Sequence, residues 1–295
     1  MILNVSGRCD VVNYYTTWFM NRYRSGYLDV RNPYNRHLVS RIYFEDVDLI
    51  VFCTKNPLPI LSFIREIEIP ILFHVTITPY GKDIEPNVID KGLVIEGVKE
   101  LSQILGNDRV VVRYDPIFLS DKYDISYHLR AFEKLCLLLN GYVKTIIVSF
   151  IDIYKNVKSN ISTLKLREFT EEDYRLIGKG FSKIARDKGI DVQTCFEKRN
   201  LCEYGFKRGE CLSLMDAYKI TGKVYDEWTS RKERKCKCAK MVDVGEYNMC
   251  KNFCKYCYAN FDEKRVRFNM ERHNPNSSLI MGEIEKGDII KRRYK

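Results

Sequence analysis

No apolar run in the 295 residues approaches the roughly 18 to 20 that a membrane-spanning helix needs. The opening Met1-Ile-Leu-Asn-Val-Ser-Gly-Arg8 has neither the basic start nor the long apolar stretch of a secretory signal. No Gly-rich phosphate loop and no internal repeat occur. These absences argue against a helical membrane protein and a repeat array, and they lead us to expect a cytoplasmic protein without a membrane partner. Histidine is scarce: His37, His74, His128 and His273 are all there is, and all lie away from the C-terminal cysteines. Cysteine, by contrast, is in excess at 11, an odd number that complete internal pairing cannot accommodate. In a reducing compartment such residues are metal ligands, redox groups or core fillers.

Hydrophobic residues at 45% and charged residues at 30% describe a globular chain with enough length to bury a core without staples. The net charge of +10 permits a nucleic-acid partner without requiring one, since a solvated basic surface has the same composition. Short apolar segments at Ile2–Ser6, Leu49–Cys53, Ile71–Thr76, Arg109–Arg113, Thr145–Phe150 and Asp191–Cys195 read as strands buried on both faces. Helical patterns lie between them at Val12–Arg24, Pro57–Glu66, Lys91–Leu105, Ser126–Leu139 and Glu171–Lys188, the last opening on the N-cap signal Thr170-Glu-Glu-Asp173. This alternation, with a late strand at Ala239–Val244, predicts an α/β fold: a partial or circularly permuted (β/α) barrel with a cysteine-rich C-terminal cluster segment. The expected division is a barrel core over 1–195, a cysteine-rich auxiliary segment over 196–238, the last strand and cluster loop over 239–260, and a basic tail over 261–295. One helix is expected near Leu212–Ser230, an exposed linker at Arg231-Lys-Glu-Arg-Lys235, and a surface-wrapping or partly mobile tail from Asp262.

The chemistry is concentrated in Cys250-Lys-Asn-Phe-Cys254-Lys-Tyr-Cys257, a C-x3-C-x2-C triad just after the late strand. Three thiolates on one tight loop can hold three corners of a [4Fe–4S] cube, leaving one iron open to an outside ligand. The competing reading is structural zinc, which prefers four closed ligands arranged as paired hooks or completed by histidine. In a (β/α) barrel the loop after a strand faces the active site.

With Tyr256 before its last cysteine, this triad resembles the signature of the radical S-adenosylmethionine superfamily, C-x3-C-x-aromatic-C. The resemblance implies that Cys250, Cys254 and Cys257 bind the cluster. It also implies that S-adenosylmethionine coordinates the open iron and is cleaved to a 5′-deoxyadenosyl radical, with Tyr256 near the adenine. A low-potential electron donor such as flavodoxin or ferredoxin would then be a partner. In the superfamily the triad follows the first strand; here it follows the last, and a circular permutation reconciles the two. Nearly the whole chain is also similar to an uncharacterised bacterial family with a C-terminal triad. The landmarks of that likeness are Ser6-Gly-Arg-Cys-Asp10, Arg31-Asn-Pro-Tyr34, Cys53-Thr-Lys-Asn-Pro57, Thr76-Ile-Thr-Pro-Tyr-Gly81, Arg113-Tyr-Asp-Pro116 and Asp243-Val-Gly-Glu-Tyr247.

A second group comprises Cys195, Cys202, Cys211, Cys236 and Cys238. Cys195, Cys211, Cys236 and Cys238 are the expected ligands of an auxiliary cluster, with zinc as the alternative occupant; within the family pattern Cys202 is the extra thiol. Cys9, Cys53 and Cys136 are read as buried or incidental, Cys136 lying in the apolar run Leu135–Leu139. Polar residues at strand ends complete the candidates. Arg113 and Asp115 are the expected catalytic pair and Arg8 and Thr78 the expected cofactor contacts, alongside Asp10, Thr54 and Lys55. A second function class stays open: a zinc-stabilised nucleic-acid-binding protein, suggested by the charge and 20 tyrosines, or a radical enzyme acting on nucleic acid, since Cys-Lys-Tyr-Cys-Tyr is similar to a run in spore photoproduct lyase.

Overall fold

The computed structural model describes residues 1–158, 160–195, 197, 199–227 and 237–294. Its core is an eight-stranded, all-parallel sheet in the order β10-β1-β4-β5-β6-β7-β8-β9. In chain order the strands are β1 (Ile2–Val5), β2 (Tyr27–Arg31), β3 (Leu38–Tyr43), β4 (Leu49–Thr54), β5 (Ile71–Thr76), β6 (Val110–Ile117), β7 (Thr145–Phe150), β8 (Asp191–Cys195), β9 (Lys207–Gly209), β10 (Met241–Val244) and β11 (Ile289–Arg292). The α-helices are α1 (Val11–Arg24), α2 (Lys91–Leu105), α3 (Ile125–Leu138), α4 (Lys155–Lys158), α5 (Ile161–Leu164), α6 (Glu171–Arg186), α7 (Leu214–Thr221) and α8 (Glu263–Glu271).

The strands' period of two sorts the sheet into two faces. Leu3, Val5, Ile50, Phe52, Phe73, Val75, Val112, Ile146 and Val148 join one large core with α1, α2, α3 and α6. Three rings knit this layer: Tyr114 meets Phe132 and Phe181 edge-on, and the latter two stack at 3.8 Å. Their neighbours in sequence, Ile2, Leu49, Val51 and Leu72, face the other way and pack with Leu212 and Ala217 from the segment around α7 and with Ala239 just ahead of β10. On this second face the apolar residues give way, toward the C-terminal ends, to Asn4, Cys53, His74, Arg113 and Cys195.

Chain order is broken at one edge, where β10 pairs in parallel with β1: Asn4 lies opposite Asp243 and Val5 opposite Val244. The late strand is thus the spatial neighbour of the first, as the expected permutation requires. The helix expected over Pro57–Glu66 is a 3-10 helix over Leu58–Glu66, with its prolines in the first turn, where no backbone donor is needed. The helix expected near Leu212–Ser230 is shorter, ending at Thr221 before Gly222 in the left-handed conformation. The linker Arg231-Lys-Glu-Arg-Lys235 lies outside the described residues.

A second sheet, β11-β3-β2, has no counterpart in the sequence reading. Its formation shows where the basic tail goes. Arg31 grips Asp288 through two bonds of 2.7 Å, Trp18 donates to the Ser277 carbonyl at 2.9 Å, and β11 lies parallel to β3. The tail wraps the body, with α8 inside it. Among the described residues no helix is long and apolar enough to cross a membrane.

The N-cap expected at Thr170 is present as a full capping box with Asp173, whose carboxylate also takes two bonds from Arg167. Thr170→Ala removes the side-chain acceptor for the Asp173 amide. It should destabilise the chain by about 1 kcal/mol, read as a lower urea midpoint with unchanged slope.

Candidate metal centres

All strands of the large sheet run in one direction, so their C-terminal ends share a rim, and loops leaving that rim converge. The loop after β10 carries the triad. It starts at Gly245, whose φ of +127° and whose missing Cβ both matter: a Cβ there would stand 2.4 Å from Ser6 Oγ and 3.1 Å from Cys9 Sγ. Asp243 prepares the departure by accepting from Asn4 Nδ2 at 2.6 Å and from the Gly7 amide at 2.7 Å, while Arg8 Nε pairs with its other oxygen at 3.0 Å.

The loop is then fastened from several sides. Tyr15 donates to the Met249 carbonyl at 2.6 Å, Asn87 to the Lys251 carbonyl at 2.7 Å, Asn260 to the Cys250 carbonyl at 2.7 Å and Asn160 to the Lys255 carbonyl at 2.9 Å. The Lys255 amide donates to the Ile84 carbonyl at 3.0 Å, and Asn248 and Phe253 take positive φ values without being glycine. Asp10 is buried and organises the side nearest Cys250. It caps α1, accepts from Thr54 Oγ1 at 2.7 Å and the Lys55 amide at 2.8 Å, and sits beside Asn252, which Tyr14 meets at 2.8 Å.

Beside Cys254 lies a buried charge network centred on Glu85, which is fully shielded from solvent. Glu85 pairs with Lys55 at 2.8 Å and with Lys91, and accepts from Thr78 Oγ1 at 2.6 Å and from the Tyr256 hydroxyl. Lys55 also lies 5.6 Å from the centre of the Tyr256 ring. Although burial opposes it, the two lysines hold the Glu85 carboxyl down at about 2. The triad thiols are the opposite case: burial pushes Cys254 up to about 12 and raises Cys250 and Cys257. With no metal they stay protonated, so a bound cation must displace their protons. Among the described residues, Cys250, Cys254 and Cys257 do not meet the spacing of a single ion, with all ligand atoms within 4.8 Å of one another.

That spacing is met elsewhere. Cys195 at the end of β8, Cys211 ahead of α7 and Cys238 ahead of β10 place their sulfurs within 4.8 Å of one another, a group able to hold a metal ion. Cys195 and Cys211 approach to 2.7 Å. Arg113 reaches into the group, its Nη1 donating to Cys211 Sγ at 3.2 Å and its Nε to Asp115 at 3.1 Å; Ser149 in turn donates to Asp115. Cys211 receives bonds from both other thiols and lies beside the guanidinium, and these hold it well below the usual thiol range. Cys236, the fourth expected ligand, lies outside the described residues. Cys202 is exposed.

The remaining candidates have structural partners. Arg8 is committed to Asp243 and to the Gly245 carbonyl at 3.3 Å. Thr78 and Tyr256, read as cofactor contacts, converge on Glu85. Cys53 donates to Asn4 at 3.3 Å and Cys136 is enclosed in the core; burial pushes both up to about 12, and Cys9 is raised as well, which leaves them unreactive thiols. The sequence reading missed Glu85 and Lys91, because a lone Glu in Asp83-Ile-Glu-Pro86 has the pattern of an ordinary turn. It also missed His74, buried on the Arg113 face with Nε2 unpartnered among the described residues and its pKa lowered to about 4 by burial.

Parallel strands, helices on the sheet and cysteines gathered beyond the strand ends define an α/β protein with a group of thiols close enough to hold a metal ion. The chain belongs to the family described as Domain of unknown function (DUF1848), whose model matches residues 2–259. No curated protein matches it.

Glu85→Gln keeps the shape but leaves the partly exposed Lys55 and Lys91 without their shared counter-charge. It should cost about 1.5 to 3 kcal/mol by urea unfolding. Because the folded carboxyl titrates at about 2 rather than 4.5, its stabilisation is complete above pH 4.5 and declines as pH falls toward 2. The gap between wild type and Glu85→Gln, measured on metal-free protein, should therefore narrow over that window.

Proposed function

We propose that this protein is a radical S-adenosylmethionine enzyme on a permuted, partial (β/α) barrel. The observation that carries the reading is the position of Cys250, Cys254 and Cys257. They lie on one anchored loop at the C-terminal rim, after a strand that sits beside β1 although it comes last in the chain. Read from β10 across to β9, the sheet has the strand succession that a circular permutation of the superfamily would have, with the triad after the first strand. Three thiols on one C-x3-C-x2-C loop suit three corners of a cubane better than the four closed ligands that structural zinc prefers.

The residues present fit such a group. The three thiols would hold three irons, and the Ala259 amide, 3.3 Å from Cys257 Sγ, would temper the charge on that thiolate. Lys55, beside Cys254, offsets negative charge there, while the Lys55–Glu85–Lys91 network keeps its own charges ionised in a buried position. When bound, the site-open [4Fe–4S] cluster supplies the electron for reductive cleavage of S-adenosylmethionine and an open iron for its amino-acid end. Tyr256 and Thr78, both held by Glu85, would meet the nucleoside side of that cofactor. Arg113 and Asp115 form the charged pair against which a substrate would be held. The electron comes from a low-potential donor such as flavodoxin or ferredoxin.

Anaerobically purified protein should contain iron and acid-labile sulfide and, once reduced, convert S-adenosylmethionine to 5′-deoxyadenosine and methionine. Cys254→Ala should abolish that conversion and remove triad-dependent iron. Stoichiometric zinc with no iron after anaerobic preparation overturns the reading.

A further inference from the structure

The second cysteine group differs from the triad in spacing, and the difference is chemical. A single ion with thiolate bonds of about 2.3 Å keeps tetrahedral ligands about 3.8 Å apart. In a cubane each thiolate sits on a different outward corner, so any two are separated by two iron–sulfur bonds and the width of the cube. Cys195, Cys211 and Cys238 all lie within 4.8 Å of one another, and Cys195 and Cys211 stand 2.7 Å apart. Opening that pair to the ligand distance of one ion requires side-chain adjustments of about an ångström. Opening all three to cubane corners would require separating the end of β8, the segment before α7 and the segment before β10. Cys195 and Cys238 share a buried apolar cluster with Ile147, against which Val111 and Cys211 pack, so the space for a cube would come from close-packed core.

We propose that Cys195, Cys211 and Cys238 form a mononuclear site for one thiophilic divalent ion, zinc or ferrous iron, with Arg113 as the outer partner that balances its thiolate charge. Three thiolates around a divalent cation leave an excess negative charge in a buried place. The Arg113 guanidinium, 3.2 Å from Cys211 Sγ, meets it, and its other edge is held by Asp115. The ion would join three segments far apart in sequence at one point of the sheet. Through Arg113 it would also fix the Asp115 and Ser149 side chains at the rim. This inference does not rest on the radical reading and differs from the auxiliary cubane expected from the sequence.

The test uses the anaerobically purified full chain, with zinc, iron, acid-labile sulfide and free thiols counted per protein. Cys211→Ala should lose one ion per chain and leave sulfide unchanged, whatever the triad holds. Loss of about four irons and four sulfides in Cys211→Ala overturns the proposal, because a cubane was there. So does a wild-type protein in which this variant removes no metal and denatured thiol counts reveal a Cys195–Cys211 disulfide. In a Cys250→Ala, Cys254→Ala, Cys257→Ala variant, one zinc or one iron without sulfide is the expected remainder, and its identity names the ion. Where either variant fails to fold, X-ray absorption on the wild type decides: a zinc centre, or an iron fraction without iron–iron scattering, with sulfur neighbours supports the site, and all metal in iron–iron clusters overturns it. Arg113→Gln should weaken retention of that ion by about 10- to 100-fold against a chelator. Failure of the triad variant to change iron or sulfide would count against the radical reading alone.

Discussion

The pairing of β10 with β1 is the constraint on which the site depends. It brings the start of the chain and the late strand together along one ladder, so that Asp243 can accept from Asn4 and Gly7 and pair with Arg8. A half-buried carboxylate with this many donors is satisfied, and it fixes the direction in which the cysteine loop leaves the sheet. Gly245 then passes against Ser6 and Cys9 at a distance no side chain would allow. Without that ladder the triad would be a short cysteine-rich peptide near the end of a basic chain.

The rim is held by charges rather than by apolar packing. Glu85 has two ammonium partners and two hydroxyl donors, and Asp10 has backbone and side-chain donors from three segments. Satisfied networks of this kind are rigid, because any displacement uncovers a buried charge. They also place cations next to one cysteine group and a guanidinium next to the other. Each thiolate set thus has positive charge on hand, although burial alone would keep most of these thiols protonated. The two groups differ in spacing: one compact enough for a single ion, the other spread along an anchored loop.

Several features were legible from local pattern. The both-face apolar strands, the Thr170 cap and the cysteine spacing are short-range signals, readable because strand period, capping and loop ligation each depend on residues a few positions apart. The β2–β3–β11 sheet was not legible. Its strands mix Asp, Arg, Ser and Lys with apolar residues, and their pairing depends on long-range partners such as Arg31 with Asp288. Glu85 was silent for the same reason, since its partners come from 55, 78, 91 and 256.

By itself the sequence determined the parallel α/β class, the cysteines that are candidates for metal, and the late strand that bears the triad loop. The late strand beside β1 and the gathering of Cys195, Cys211 and Cys238 were expected from the resemblance, whereas tertiary structure alone decided that Arg113 joins those thiols and that Glu85 is the common acceptor of the rim. The physical reason is range. Period and spacing act within one element, whereas the approach of groups up to 259 residues apart is set by strand order and by the burial of charges that only the folded sheet brings together.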